Sequence, residues 1–250
     1  MSDALSDAGA ARRALEDLLE TDAPALRASL PPGFADAAER YVELLLEVNA
    51  RLNLTRIVDP AEVARLHLLD ALSVLPLLDA LAPRRALDLG TGGGVPGMVL
   101  ALARPDMSWT LVDSVRKKAD AVRGFTDALG MHNVTVIAER AEALGRGVTH
   151  REQFDLVAAR ACAALPVLAE YALPLIRVGG ALVAWKGPIQ SDELRAGRAA
   201  EVQLGGGDLE VQPARIAALG DHQIVSIRKV GPTPQRFPRR PGQPTRRPLG

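Results

Sequence analysis

The residues best suited to chemistry stand in one run, Asp88-Leu-Gly90-Thr-Gly92-Gly-Gly94-Val-Pro-Gly97. A strand-like apolar stretch precedes it and a helix-like one follows, which is where open α/β sheets bind ligands. Glycines let the backbone turn with positive φ and let a ligand approach closely. Gly92, Gly94 and Gly97 also satisfy the dinucleotide pattern G-x-G-x-x-G, so a nicotinamide or flavin enzyme is the competing reading. Two residues weigh against it. A pyrophosphate needs free N–H groups at the helix start, yet Pro96 deletes one of them and Asp88 sets a carboxylate near the intended anion. S-adenosylmethionine carries an ammonium, a sulfonium and a ribose, and is served by a carboxylate at the strand end and another for its hydroxyls. Asp113, closing Leu111-Val112-Asp113-Ser114, is placed for a ribose in either reading. A turn that merely packed helix on strand would not need Gly90, Gly92, Gly93 and Gly94 together.

The elements that must position this turn follow from hydrophobic periodicity. Ahead of it the chain reads as helices: Ala10–Leu19, Phe34–Leu52 with Tyr41, Leu44, Leu45 and Val48 on one face, and Ala61–Leu81 opened by Asp59 as cap and Pro60 in the first turn. From Arg85 the pattern becomes strand alternating with helix. Ala86–Leu89, Trp109–Val112, Val134–Ile137, Phe154–Ala158 and Ala181–Trp185 are predicted strands, and their alternation with helices predicts a mostly parallel, doubly wound sheet. A helix near Asp192–Leu204 precedes Asp208–Ile216 and Gln223–Val230, a predicted antiparallel hairpin. The tail from Gly231 is rich in proline and is expected to lie extended or disordered. The expected parts are a helical extension over 1–82, an α/β domain over 83–230 and a Pro/Arg-rich tail over 231–250.

The 250 residues, 48% hydrophobic and 24% charged, suit one large globular domain. No apolar run is long enough to cross a bilayer, and the acidic start is unlike a secretory leader, so a cytoplasmic address without membrane attachment is expected. The single cysteine, Cys162, excludes an internal disulfide and a multi-cysteine metal site; no metal is expected. Net charge is zero but unevenly placed. Acids crowd the first part, while from Arg228 onward stand Arg228, Lys229, Arg236, Arg239, Arg240, Arg246 and Arg247 with no acid. Such a tail either binds a polyanion or is simply solvated.

The order of motifs resembles one family, the RsmG (GidB) enzymes, S-adenosylmethionine-dependent guanine-N7 methyltransferases of bacterial 16S ribosomal RNA. The resemblance runs through Asn53-Leu54-Thr55 and then Arg65-Leu66-His67-Leu68-Leu69-Asp70-Ala71-Leu72. That second segment is similar to the family's R-H-I-L-D-S-L with one residue inserted after Arg65, or with Leu66 in the arginine's place. It continues through Asp88–Gly97, Leu111–Ser114 with Lys117-Lys118, Arg140-Ala141-Glu142, Arg160-Ala161, Lys186-Gly187 and the Phe237-Pro238-Arg239 ending. The resemblance implies a Rossmann-like class I methyltransferase fold and a substrate guanine in the 530-loop region. Gly90 and Val95 are implied as cofactor contacts, Ala141 and Glu142 as neighbours of the adenine, and Arg160 as facing the methionine end and the substrate.

Methyl transfer from a sulfonium is an in-line displacement in which placement supplies much of the rate. Guanine N7 has a free lone pair and loses no proton, so this acceptor needs no general base. The predicted fourth strand ends Ala158-Ala159-Arg160 and carries neither an N-P-P-Y strand end nor a cysteine nucleophile; Cys162 reads as a buried structural thiol. Arg160, Lys186 and His67 are the candidates for positioning the acceptor. Aromatic residues are only 3% of the chain, so arginine planes rather than aromatic stacking are expected to grip RNA, with Arg116, Lys117, Lys118 and the tail arginines on phosphates. The expected partner is 16S rRNA or the small subunit, met by a monomer. Alternative readings are a small-metabolite methyltransferase, a nicotinamide oxidoreductase and a non-catalytic RNA-binding module.

Overall fold

A computed structural model describes residues 2–250. Helices α1 (Ser2–Thr21), α2 (Pro24–Ser29) and α3 (Phe34–Leu52) open the chain. On α3 the residues Phe34, Ala38, Tyr41, Val42 and Leu45 recur at helical spacing and are buried. The segment read as one helix, Ala61–Leu81, is instead broken. It comprises α4 (Pro60–Glu62), a π-helical stretch (Val63–Leu69), α5 (Asp70–Leu72) and, after a turn at Ser73-Val74, α6 (Leu75–Leu81). Asp59 caps the start as expected, accepting the Glu62 N–H at 3.0 Å. Pro76 is tolerated only in a first helical turn, so a new helix starts there. In the π stretch the Asp70 N–H reaches back to Arg65 O. This wide turn absorbs one residue, which matches the additional residue between Arg65 and His67, and it leaves His67 and Asp70 buried toward the sheet.

Seven strands follow: β1 (Arg85–Leu89), β2 (Ser108–Asp113), β3 (Val134–Ala138), β4 (Phe154–Arg160), β5 (Ile176–Lys186), β6 (Gly206–Pro213) and β7 (Gln223–Lys229). Between them lie α7 (Gly97–Ala103), α8 (Arg116–Ala128), α9 (Ala141–Arg146), α10 (Leu165–Ala172) and α11 (Ser191–Gln203), and α12 (Gln243–Arg246) ends the chain. The order is β3-β2-β1-β4-β5-β7-β6, parallel except for β7, which runs antiparallel to both neighbours. The mostly parallel sheet with its C-terminal hairpin is the one read from the pattern. The order reverses between β1 and β4, which opens a crevice at the carboxyl ends of these strands. β5 begins at Ile176, earlier than Ala181, because Gly180 lets it run close to β4: a Cβ there would lie 2.6 Å from Asp155 O. β6 lies at Gly206–Pro213 rather than Asp208–Ile216, since Gly206 and Gly207, poor strand formers by composition, pair with Lys229 and Arg228.

Alternate residues of each strand face opposite cores. Ala86, Leu111, Leu156 and Val183 pack with α1, α3, the π stretch and α7; Leu87, Val112, Val157 and Leu182 pack with α10 and α11. The N-terminal helices therefore share a core with the sheet rather than standing apart. The tail is likewise docked, contrary to the expectation of an extended or disordered end. Prolines lack N–H groups but keep their carbonyls, and the domain's arginines supply the donors. Arg151 donates to Gly145 O and Phe237 O at 2.8 Å each and to Thr233 O at 2.6 Å, Arg146 donates to Pro238 O at 2.8 Å, and Phe237 is buried. Pro244 stands in the first turn of α12, where its ring fits. Among the described residues no helix is long and apolar enough to cross a membrane.

Candidate active site

The glycine turn is tied to the end of β2 and to its own residues. Gly90 and Thr91 both donate to Val112 O at 2.9 Å, Gly94 donates to Thr91 O at 2.7 Å, Gly92 donates to Asp113 Oδ2 at 2.9 Å, and Gly97 donates to Asp88 Oδ2 at 2.9 Å. Gly90, Gly92 and Gly94 have φ of 76°, 58° and 105°, which side chains rarely adopt. With these five N–H groups engaged and Pro96 lacking one, most of the turn's donors are withheld from an anion. Carboxylates brace it instead. Asp113 also holds the Val115 N–H through Oδ1 at 2.8 Å, fixing the β2–α8 connection. From above, α3 presses on the turn: Tyr41 donates to Gly93 O at 2.8 Å, and a Cβ on Gly93 would meet Leu45 Cδ1 at 2.8 Å.

Asp88 lies beneath the turn, not in its mouth. It is fully buried; Oδ2 accepts from Thr91 Oγ1 at 2.6 Å and from the Gly97 N–H, while Oδ1 has no partner. Burial pushes its carboxyl up to about 6 from 3.8. A carboxyl raised on folding contributes stability while it is protonated, and that contribution disappears as pH rises through the folded value. Asp88→Asn is therefore expected to gain in melting temperature on the parent protein as pH goes from about 4 to about 6. Parallel melting profiles across that range would refute the assignment.

Two cavities adjoin the turn, and a third opens beside one of them. A small one of about 110 Å³ lies among Gly90, Val112, Ser114, Ala141, Glu142 and Tyr171. A second, of about 180 Å³, covers Gly90 to Gly93 with Val95, Leu54, Thr55, His67 and Arg160. The third, of about 690 Å³, is walled by Thr55, His67, Asp70, Arg160, Trp185, Lys186 and His222. Thus Gly90, Gly92, Val95 and Arg160 meet at one cavity, Ala141 and Glu142 at the first, and His67, Arg160 and Lys186 at the third. Asp113 directs both oxygens to backbone N–H groups. Glu142 is buried and accepts the Gly242 N–H of the tail at 2.8 Å. Lys186 is paired with Glu193 at 2.6 Å and donates to Ala163 O at 3.1 Å. Of the basic residues read as phosphate contacts, Arg116 and Lys117 are exposed at the start of α8 and Lys118 is half-buried.

Arg160, at the carboxyl end of β4, organises the third cavity. It donates to Leu66 O, to His67 Nδ1 at 3.1 Å and to Asp70 Oδ2 at 3.5 Å. Asp70 Oδ1 meets His222 Nδ1 at 2.9 Å, and the Asp70 carbonyl accepts from Trp185 Nε1 at 2.7 Å. Burial, then the neighbouring Arg160 charge, push His67 down to about 4, so the ring is neutral at physiological pH. Cys162 sits 3.1 Å from where a Gly90 Cβ would be, and burial with nearby Asp88 and Asp113 pushes its thiol up to about 11. The thiol keeps its proton, but it is half-buried on the wall of the small cavity and not buried as its apolar neighbours in the sequence suggest. Trp185, His222 and Tyr171 escape sequence reading. Trp185 could have been found from its place at the end of β5; nothing local marks His222, which the β6–β7 hairpin brings to Asp70.

The family model GidB, rRNA small subunit methyltransferase G, matches residues 35–219. A protein of Deinococcus radiodurans named ribosomal RNA small subunit methyltransferase G is 44% identical, covering 99% of this chain and 95% of the relative. One of the same name from Symbiobacterium thermophilum is 41% identical over 94% of this chain and 98% of its own. Among solved structures, a putative O-methyltransferase from Klebsiella pneumoniae has a TM-score of 0.53 at 17% identity, covering 85% of this chain and 97% of that one. An O-methyltransferase from Bacillus cereus, solved in complex with SAH, has a TM-score of 0.52 at 19% identity over 76% and 90%. These two likenesses concern the fold.

Proposed function

Since the chain belongs to the rRNA small subunit methyltransferase G family, we propose that it transfers a methyl group from S-adenosylmethionine to N7 of a guanine in 16S ribosomal RNA, in the 530-loop region. The observation carrying this reading is the turn itself: the amides of Gly90, Thr91, Gly92, Gly94 and Gly97 are already engaged within the fold and carboxylates brace it, which suits a cationic cofactor better than a pyrophosphate. Gly90, Gly92 and Val95 would line the methionine half, and Ala141 and Glu142 the adenine half. Asp113 braces the turn between them, and Asp88 acts from below. When bound, S-adenosylmethionine supplies an electrophilic methyl on its sulfonium. The large adjoining cavity would take the base, with Arg160 and His67 at the junction.

Guanine N7 suits this junction because it has no proton to lose and neither His67 nor Cys162 is free to take one. His67 is neutral with both ring nitrogens engaged, and Cys162 holds its proton. Rate then comes from placement. Incubation with labelled cofactor and either small subunits or naked 16S RNA from a strain lacking the enzyme, followed by mass mapping, is expected to give N7-methylguanine at one position. Binding of the RNA should weaken steeply with salt. Methyl found only on protein or on a small metabolite, with salt-insensitive activity, would overturn the reading.

A further inference from the structure

We propose that Thr55 selects guanine over adenine by offering the base a hydroxyl that can donate a hydrogen bond but cannot accept one. The inference rests on the guanine-N7 reading above and follows from counting protons. An arginine guanidinium has only donors, so where Arg160 Nη2 meets His67 Nδ1 at 3.1 Å the ring nitrogen must accept. The ring is neutral and carries one proton, which therefore sits on Nε2. That Nε2–H points to Thr55 Oγ1 at 2.9 Å. The same oxygen also accepts the Ile57 N–H at 3.0 Å. A threonine hydroxyl has two lone pairs and one proton. Here both lone pairs are taken, and the proton alone is left for another partner.

The position of the hydroxyl is held as firmly as its polarity. The Thr55 N–H donates to Asn49 Oδ1 at 2.8 Å, tying the segment to the end of α3. Thr55 walls both the cavity over the glycine turn and the larger cavity beside it, so it stands where a methyl group would pass to its acceptor. On guanine the atom next to N7 along the same edge is O6, an acceptor; on adenine it is the N6 amino group, a donor. A donor-only hydroxyl at this junction pairs with O6 and so brings N7 to the methyl. Against adenine it sets donor against donor. An ordinary threonine would turn its lone pair to the amino group and discriminate little. Arg160 and His67 act through Thr55 as positioning residues that fix its polarity.

The test uses the full chain with 16S transcripts bearing either guanine or adenine at the mapped position. The parent protein is expected to prefer guanine by about a thousandfold or more in kcat/KM. Thr55→Val should lower guanine methylation about tenfold to a hundredfold and shrink the preference over adenine about a hundredfold, with cofactor Kd by calorimetry essentially unmoved. Thr55→Ser should keep both rate and preference. Should Thr55→Val not fold, His67→Leu serves, because it frees one Oγ1 lone pair and is expected to raise adenine relative to guanine. Unchanged preference in these variants overturns the proposal. So does a loss of cofactor affinity in proportion to the loss of rate, which would assign the hydroxyl to the cofactor. Failure of the parent protein to make N7-methylguanine at all would strike the reading beneath it instead.

Discussion

Adding one methyl group in Gly97→Ala is expected to abolish cofactor binding and to lower the melting temperature by roughly 5–10 °C. Gly97 opens α7 directly behind the turn, and its backbone has no positive φ, so the effect is one of space. A Cβ there would lie 2.3 Å from Leu111 Cδ2, 2.6 Å from Asp88 Oδ2 and 2.8 Å from Asp88 Cβ. Leu111 belongs to β2 in the fully buried core, and Asp88 is fully buried in β1. Neither can swing into solvent, so α7 must lift or the strands must part. Overpacking of this kind costs about 1–3 kcal/mol. Lifting α7 also breaks the 2.9 Å bond from Gly97 N–H to Asp88 Oδ2, on a carboxylate that already lacks a partner for Oδ1. The turn is pinned through that carboxylate, so the cofactor floor is lost with it. Gly124→Ala is the control of opposite sign: on the exposed face of α8, nothing lies within 4 Å of the added carbon, and the variant should gain about 0.5–1 kcal/mol from helix propensity. Thermal melts and calorimetry with S-adenosylmethionine read both. Normal cofactor affinity in Gly97→Ala would sink the account.

Why so much of this site is legible in the sequence, and some of it not, comes down to the range of the signals. Strand ends, the glycine turn and the face of α3 are written in local periodicity, and the carboxyl edge of a parallel sheet gathers whatever residues stand there. That rule brings Gly90, Ala141, Glu142 and Arg160 to adjoining cavities although they are far apart in the chain. What local pattern cannot give is the direction of a side chain at a strand end. By position Asp88 and Asp113 should face a ligand, yet both direct oxygens to backbone N–H groups of the turn. The wide π turn is not written in periodicity either, since Val63–Leu69 keeps a helical apolar pattern, and its one trace in the sequence is the additional residue after Arg65. His222 reaches Asp70 through tertiary pairing alone.

The tail shows the same limit, and it carries the other large effect: Arg239→Ala is expected to cost about 3–5 kcal/mol, or roughly 6–15 °C in melting temperature. Read as composition, Arg239 is one of several cations on a proline-rich arm suited to a polyanion. In the structure its guanidinium grips Glu170 of α10, Nε to Oε1 at 2.9 Å and Nη2 to Oε2 at 2.5 Å, with its own N–H adding a 2.8 Å bond to Oε1. Glu170 is fully buried, so truncating the arginine strands a charge in the core, a far larger penalty than losing a surface pair. Replacing both partners with apolar residues, Glu170→Met with Arg239→Leu, should recover most of the loss. The tail also holds two residues of the cavity proposed for the adenine, Glu142 through the Gly242 N–H and Tyr171 through Thr245 Oγ1 at 2.9 Å. Cofactor affinity should therefore fall in Arg239→Ala along with stability. The exposed Arg246 and Arg247 make the contrast: their alanine variants should melt like the parent protein but flatten the salt dependence of RNA binding, by about one unit of slope for each phosphate no longer neutralised. If Arg239→Ala instead melts like the parent protein and loses only RNA affinity, the tail is an RNA arm and not a clasp on the cofactor wall.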